Sequence, residues 1–215
     1  MPFTPHLHIL PAAQRRLWDE FTALPGHFVL YGGTALALRT GSRISEDFDF
    51  FTNAPVDALR LHQALPFLRG ADLVQSEPGT ATFVVDRGGP VNVSFFSVPI
   101  GRTGHPDRTA RPSLLVASLL DLAAQKVRVV QVRAEKKDYL DIATLLGEGV
   151  RLAAALGAAK ALYPDFAPLV TLKALSYFGD GDLGTLPADT RQTLTTAVAD
   201  LADIDTVGIV SSSLT

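Results

Sequence analysis

Tyr31-Gly32-Gly33-Thr34, with thirteen residues between Gly33 and the run Asp47-Phe48-Asp49-Phe50-Phe51, is the stretch on which the reading of this chain turns. Phe28 to Tyr31 reads as a short buried strand, and the glycine pair breaks it. Thr34 to Thr40 then reads as a short helix that Gly41 ends. Asp47 to Phe51 alternates polar and aromatic residues, the mark of a strand with two different faces. Residues i and i+2 of a strand share a face about 7 Å apart, so Asp47 and Asp49 stand side by side while Phe48 and Phe50 enter a core. Two adjacent carboxylates repel unless something positive lies between them. Hard oxygen donors favour Mg²⁺ or Mn²⁺ in that place. Gly32 and Gly33 sit where the strand enters a helix, and backbone N–H groups there can cradle phosphate oxygens, with the Thr34 hydroxyl as a further donor. A phosphate cradle facing a metal-binding carboxylate pair is the apparatus of phosphoryl or nucleotidyl transfer. The bland alternative is a tight turn plus two solvated strand residues. The order strand, Gly-Gly-Thr, helix, Asp-Phe-Asp strand favours the chemical reading.

Working outward, Pro11 to Leu24 carries apolar residues at helical spacing, and Val56 to Leu68 reads as a helix with Pro55 at its first turn. Leu73–Glu77, Thr80–Asp86 and Val91–Val98 read as strands, the last two joined by Arg87-Gly88-Gly89-Pro90 in a hairpin. Gly101 to Pro112 is a polar loop between two halves. Beyond it Ser118-Leu119-Leu120-Asp121 resembles a capping box that opens a helix to about Arg133. Further helices are predicted over 136–146, 151–163, 165–178 and 188–203. The predicted fold is therefore α/β of the α+β kind: a small mixed sheet with flanking helices over residues 1–112, then a helical half over 113–215. Lys126, Arg133 and Lys137 recur at spacings of seven and four, and one continuous helix would align them as a basic stripe able to bind phosphates. Lys126 in its apolar stretch could equally snorkel to water, and Asp138 could be only a helix-start acid.

Composition narrows the function. The 215 residues carry 19 Lys plus Arg against 22 Asp plus Glu, a net charge of −3, which excludes a protein that coats nucleic acid through bulk charge. Hydrophobic residues at 47% and charged residues at 19% exclude disorder. Cys is absent, which removes disulfides, thiolate nucleophiles and Cys-ligated metals. Gly179 to Gly184 matches G-x-G-x-x-G literally, yet it follows a helical pattern and no βαβ unit surrounds it, so it reads as a loop. No Walker A or G-x-S-x-G sequence is present, and the five His residues form no zinc set. Met1 to Leu10 lacks a signal-peptide pattern, and no apolar run reaches the ~18 residues of a membrane helix. The cytoplasm is the expected compartment, with no membrane partner.

GGTALALRTGSRISEDFDFF (32–51) resembles the signature of the nucleotidyltransferase superfamily that includes polymerase beta. More narrowly it resembles the AbiEii/AbiGii toxin nucleotidyltransferases of bacterial toxin–antitoxin and phage-defence systems. VNVSFF (91–96) is similar to a central strand of that family, residues 118–146 to its helical motif, and LKALSYFGDGD (172–182) to a segment near its C-terminus. The resemblance implies that Gly32, Gly33 and Thr34 hold a nucleoside triphosphate (NTP) and that Asp47 and Asp49 hold Mg²⁺ or Mn²⁺. It implies that Lys126 contacts the triphosphate and that Asp138 orients a neighbour or the acceptor. It also implies a cleft between the carboxylate strand and the Lys126–Asp138 helices. The acceptor would be RNA, such as a tRNA 3′ end, or a protein side chain, and the partner a cognate antitoxin. One departure stands out. The wider superfamily has a third carboxylate on a neighbouring strand, where this chain has Asn92 and Ser94. Asp86 lies beyond the hairpin turn and returns only if that turn allows it. Two alternatives stay open: a degenerate nucleotide- or partner-binding module without turnover, and an antitoxin that modifies a toxin protein.

Overall fold

A computed structural model describes residues 3–215. The chain divides into two compact units. One comprises the chain up to Ile100 with His105–Ser118 and Ser211–Thr215; the other comprises Gly101–Gly104 and Leu119–Val210.

The first unit is built on a mixed sheet. Its elements are helix α1 (Ala12–Trp18), strand β1 (Val29–Tyr31), helix α2 (Gly32–Thr40), strand β2 (Asp47–Thr52) and helix α3 (Ala58–Ala64), followed by strands β3 (Asp72–Glu77), β4 (Thr80–Asp86), β5 (Pro90–Ser97), β6 (Asp107–Arg108) and β7 (Leu115–Val116). The strand order is β3-β4-β5-β2-β1-β7-β6. β2 lies between β1, which it meets antiparallel, and β5, which it meets parallel. β2 is therefore the central strand of the seven and is held by backbone ladders on both sides.

The alternation in Asp47 to Thr52 does what its period of two requires. Phe48, Phe50 and Thr52 are buried, whereas Asp47, Asp49 and Phe51 are half-buried on the other face. Phe48 and Phe50 join an aromatic core with Phe21, Phe67 and Phe95, in which Phe21 meets Phe48 edge-on at 4.7 Å and Phe67 at 5.2 Å. Trp18 is fully buried beside them, and its indole N–H donates to the Arg111 carbonyl. α2 ends as its sequence predicts. Gly41 takes a left-handed φ of 66° and donates its N–H to the Ala37 carbonyl.

Several predicted helices are shorter than their apolar patterns. The 11–24 pattern is α-helical only to Trp18 and continues as a 3₁₀ turn over Asp19–Ala23. In the 56–68 pattern, Asp57 caps α3 by accepting from the Arg60 N–H, and Pro66 turns the rest into a 3₁₀ segment, Pro66–Leu68. Gly101 to Pro112, predicted as pure loop, contributes the two-residue strand β6.

The second unit is helical: α4 (Leu119–Val129), α5 (Lys136–Gly147), α6 (Leu152–Leu162), α7 (Pro168–Ala174) and α8 (Ala188–Ala199). α4 packs on α6 and α5, and α5 packs on α8. Among the described residues no single helix is long and apolar enough to cross a membrane.

Candidate functional site

β2 supplies the carboxylates and the sheet register fixes their neighbours. Asp47 lies opposite Asn92 and Asp49 opposite Ser94 on β5, while Tyr31 on β1 pairs with Asp49 from the other side. Residues in direct register share a face, so Asp47, Asp49, Asn92 and Ser94 project together. The Asn92 amide donates to Asp47 Oδ1 at 2.8 Å and fixes that carboxylate. Ser94 is buried, and its hydroxyl lies 3.1 Å from the Thr82 hydroxyl of β4. Further along the same face, Tyr31 stacks on Phe51 at 4.7 Å, and Phe96 meets Phe51 edge-on.

The glycine pair does what only glycine can do here. Gly32 is the first residue of α2 and has φ +71°, a conformation that costs an L-residue energy. A β-carbon at Gly32 would overlap Asp49 Oδ2. The Asp49 carboxylate therefore lies directly against the helix N-terminus, at the backbone of a residue without a side chain. A β-carbon at Gly33 would come within 2.7 Å of both Arg43 Nη2 and Ser45 Oγ. Sequence reasoning singled out neither Arg43 nor Ser45. The signal available was an Arg four residues before Asp47 in the loop that returns from α2, but loop residues carry no periodicity to mark them.

Thr34 is fully buried, and its hydroxyl donates to the Asp47 carbonyl. That corrects the expectation of a free hydroxyl donor. The hydroxyl pins the start of β2 to α2. Asp86 does not return to the carboxylates. Its Oδ1 accepts the N–H groups of Gly88 and Gly89 in the hairpin turn, and those bonds hold it below the ordinary carboxylate range. Among the described residues no set of three or more acidic, His or Cys side chains converges as a metal site.

Two carboxylates nonetheless fit one hard cation. Mg²⁺ keeps much of its water and is commonly held by one or two carboxylates plus substrate phosphates, not by a closed protein cage. Asp47 and Asp49 provide that pair, and Ser94 adds a neutral oxygen alongside.

Lys126 and Asp138 lie in the second unit. The basic stripe does not form, because α4 stops at Val129 and α5 starts at Lys136, so Lys126 and Lys137 share no helix. Nor does Lys126 snorkel. It is 6% exposed, with Nζ 2.8 Å from Asp138 Oδ1 and 2.7 Å from Asp141 Oδ2. Asp138 is fully buried and also accepts from Arg133 Nε at 2.7 Å and Nη2 at 3.1 Å. Burial by itself would raise the Asp138 pKa, but the Arg133 and Lys126 cations outweigh it and hold the carboxyl below its ordinary value. Asp121, expected only as a capping residue, is buried and accepts from the Thr103 N–H and hydroxyl at 2.7 and 2.8 Å.

Comparison with known proteins agrees with this architecture. Residues 16–207 match the family described as nucleotidyl transferase AbiEii toxin, type IV toxin–antitoxin system, and the chain belongs to that family. It is accordingly a nucleotidyltransferase. An uncharacterized protein of Aquifex aeolicus (strain VF5) is 30% identical over 176 residues, covering 80% of this chain and 84% of the relative. The nucleotidyltransferase toxin MenT4 of Mycobacterium tuberculosis superposes with a TM-score of 0.62 at 15% identity, over 87% of this chain and 82% of that one. JHP933 of Helicobacter pylori gives 0.55 at 19% identity, over 86% and 87%. At such identities the two structures speak for the fold alone.

Proposed function

We propose that the chain moves a nucleoside monophosphate from an NTP to a hydroxyl acceptor, using Mg²⁺ or Mn²⁺ held by Asp47 and Asp49, as the toxin of a toxin–antitoxin or phage-defence pair with a cognate antitoxin as partner. The observation that carries this reading is the Asp49 carboxylate seated against Gly32 at the start of α2. Carboxylate and backbone N–H donors then share one small space, where a metal-bound triphosphate would meet both. When bound, the cation would neutralise charge on the α-phosphate and align the acceptor hydroxyl.

The chain's own residues do the rest. Asn92 holds Asp47 in one orientation. The N–H group at Gly33 and the Arg43 guanidinium receive phosphate oxygens. The acceptor oxygen bonds to the α-phosphorus, the bond to the bridging oxygen breaks, and pyrophosphate leaves. Neither Asn92 nor Ser94 can accept the hydroxyl proton, so it passes to water. In the second unit, Asp138 acts as an orienting acid, and its grip on Lys126 and Arg133 supports that role. Lys126 is the triphosphate contact that the family likeness implies. To make that contact its ammonium must exchange one of its two carboxylates for phosphate. The cytoplasm is the compartment we propose.

The test is label transfer from each α-phosphate-labelled NTP to total cellular RNA, tRNA included, or to lysate protein, with and without a chelator of divalent cations. Label on RNA or on protein that the chelator abolishes is the expected result, and its location names the acceptor. The neutral Asn92 and Ser94 opposite the two aspartates favour a second reading, binding without turnover. NTP binding with no labelled product under any condition would establish that reading instead.

A further inference from the structure

The helical unit contains a cavity of 320 Å³ between the α4–α5 connection, the first turn of α5, α7 and the segment that follows α7. Its volume falls at the low end of the ~300–1,000 Å³ typical of small-molecule sites, room for about one nucleoside. Val132, Arg133, Tyr139, Lys173, Tyr177 and Asp180 are among its lining residues. The cavity is unexplained by packing on three counts.

Tyr139 is 2% exposed overall; its hydroxyl makes no hydrogen bond among the described residues and is not one of the buried atoms left without a partner, so the oxygen itself reaches open space. Its ring lies edge-on to Phe178 at 6.3 Å. Burial and the Asp180 and Asp138 charges raise its pKa, which keeps the hydroxyl protonated and able to donate. Tyr177 and Val132 are respectively 57% and 84% exposed, an aromatic and an aliphatic side chain left in water at the cavity. Lys173 makes no ion pair among the described residues, while Arg133 is already engaged by Asp138.

We infer that this cavity binds one nucleotide: a base lies on the Tyr177 ring, the Tyr139 hydroxyl donates to its edge, Asp180 accepts from a base N–H, and Lys173 takes the phosphate. Apolar walls with an aromatic face, one hydroxyl donor, one acceptor and one cation without an ion pair match the parts of a nucleotide. The inference deepens the proposed function and rests on it for the class of ligand. The nucleotide is either the NTP itself or a nucleotide of the RNA acceptor, two sources of one chemistry that the experiment separates.

The test reads binding without catalysis. The 215-residue chain, with its four tyrosines carrying ring isotope labels, is titrated in metal-free buffer with each NTP and, separately, with a single-stranded oligoribonucleotide. The tyrosine signals are followed by NMR. The expected result is a saturable shift of Tyr139 and Tyr177 with one of the two probes, which names the source. Tyr177→Ala, at an exposed position, should weaken binding at least about tenfold, and Lys173→Ala should weaken it and reduce its dependence on salt. Tyr139→Phe, which keeps the packing and removes only the hydroxyl, should weaken binding while leaving the fold intact. Shifts confined to Tyr31, or no shift of Tyr139 and Tyr177 with any probe at millimolar concentration, would overturn the inference. An enzyme that transfers label with this cavity empty and an inactive protein with it occupied are distinct outcomes. The first refutes the cavity assignment alone, and the second refutes the proposed reaction alone.

Discussion

Replacing Gly32 with Ala tests the geometry of the site through one methyl group. Two costs add. At φ +71° an L-residue is disfavoured by about 1–2 kcal/mol relative to glycine. The new β-carbon would also overlap Asp49 Oδ2, and the Asp49 side chain is the more flexible partner, so the carboxylate swings away while the backbone holds. Together these predict a loss of about 1–3 kcal/mol, a fall in Tm of about 2–4 °C per kcal/mol for a chain of this size. The functional effect should be larger than the effect on stability. A catalytic group displaced by about 1 Å costs on the order of a hundredfold in rate. The control is Gly26→Ala, where a β-carbon meets nothing within 4 Å, expected to stay within about 0.5 kcal/mol of the parent and to keep its rate. The assays are thermal unfolding by circular dichroism and label transfer from an NTP under identical conditions. A Gly32→Ala variant that is destabilised yet transfers label at the parental rate would refute the claim that Asp49 works from its seat against Gly32.

Three further outcomes follow from the packing. Lys126→Met removes the cation shared by two buried carboxylates and should cost about 3–5 kcal/mol in urea unfolding; a cost under about 1 kcal/mol would show that the Asp138–Lys126–Asp141 cluster is not held as described. Asp138 has a depressed pKa in the folded state, so its stabilising contribution is complete above the ordinary carboxylate range and disappears as pH falls through the lowered value. Between neutral pH and about pH 3 the parent should therefore lose stability more steeply than Asp138→Asn, and equal slopes would contradict the assignment. Phe21→Ala removes the ring that touches Phe48, Phe50 and Phe67 and should cost about 3–5 kcal/mol, read from the fluorescence of the single, fully buried Trp18.

The parts of this molecule that were legible in its sequence are those governed by short-range rules. Asp47 to Phe51 announces a two-faced strand because side-chain alternation is a local property, and the structure buries Phe48 and Phe50 accordingly. Arg87 to Pro90 announces a hairpin because glycine pairs permit positive φ, and Gly88 and Gly89 both adopt it. Helix length was less legible. Apolar spacing continues past Trp18 and past Val129, but the backbone leaves the α-helix at both points, since a 3₁₀ turn or a bend can bury the same side chains. That break removes the predicted basic stripe. The environment of Lys126 was illegible for a different reason. Its partners Asp138 and Asp141 come from another helix, and only tertiary packing decides whether a lysine meets water or two carboxylates. Arg43 and Ser45 reach Gly33 from a loop, where no period marks which residue points inward. The sequence did show that β5 offers Asn92 and Ser94 in place of an acid, and the register sets those two residues opposite Asp47 and Asp49.

The most direct test of the account compares label transfer by the parent and by the double variant Asp47→Asn, Asp49→Asn, with NTP binding measured in both. Each substitution keeps the size and shape of the side chain and removes only its charge. The account predicts that label transfer disappears in the variant while the fold is retained. Transfer by the double variant at the parental rate would contradict it and would place the chemistry elsewhere in the chain.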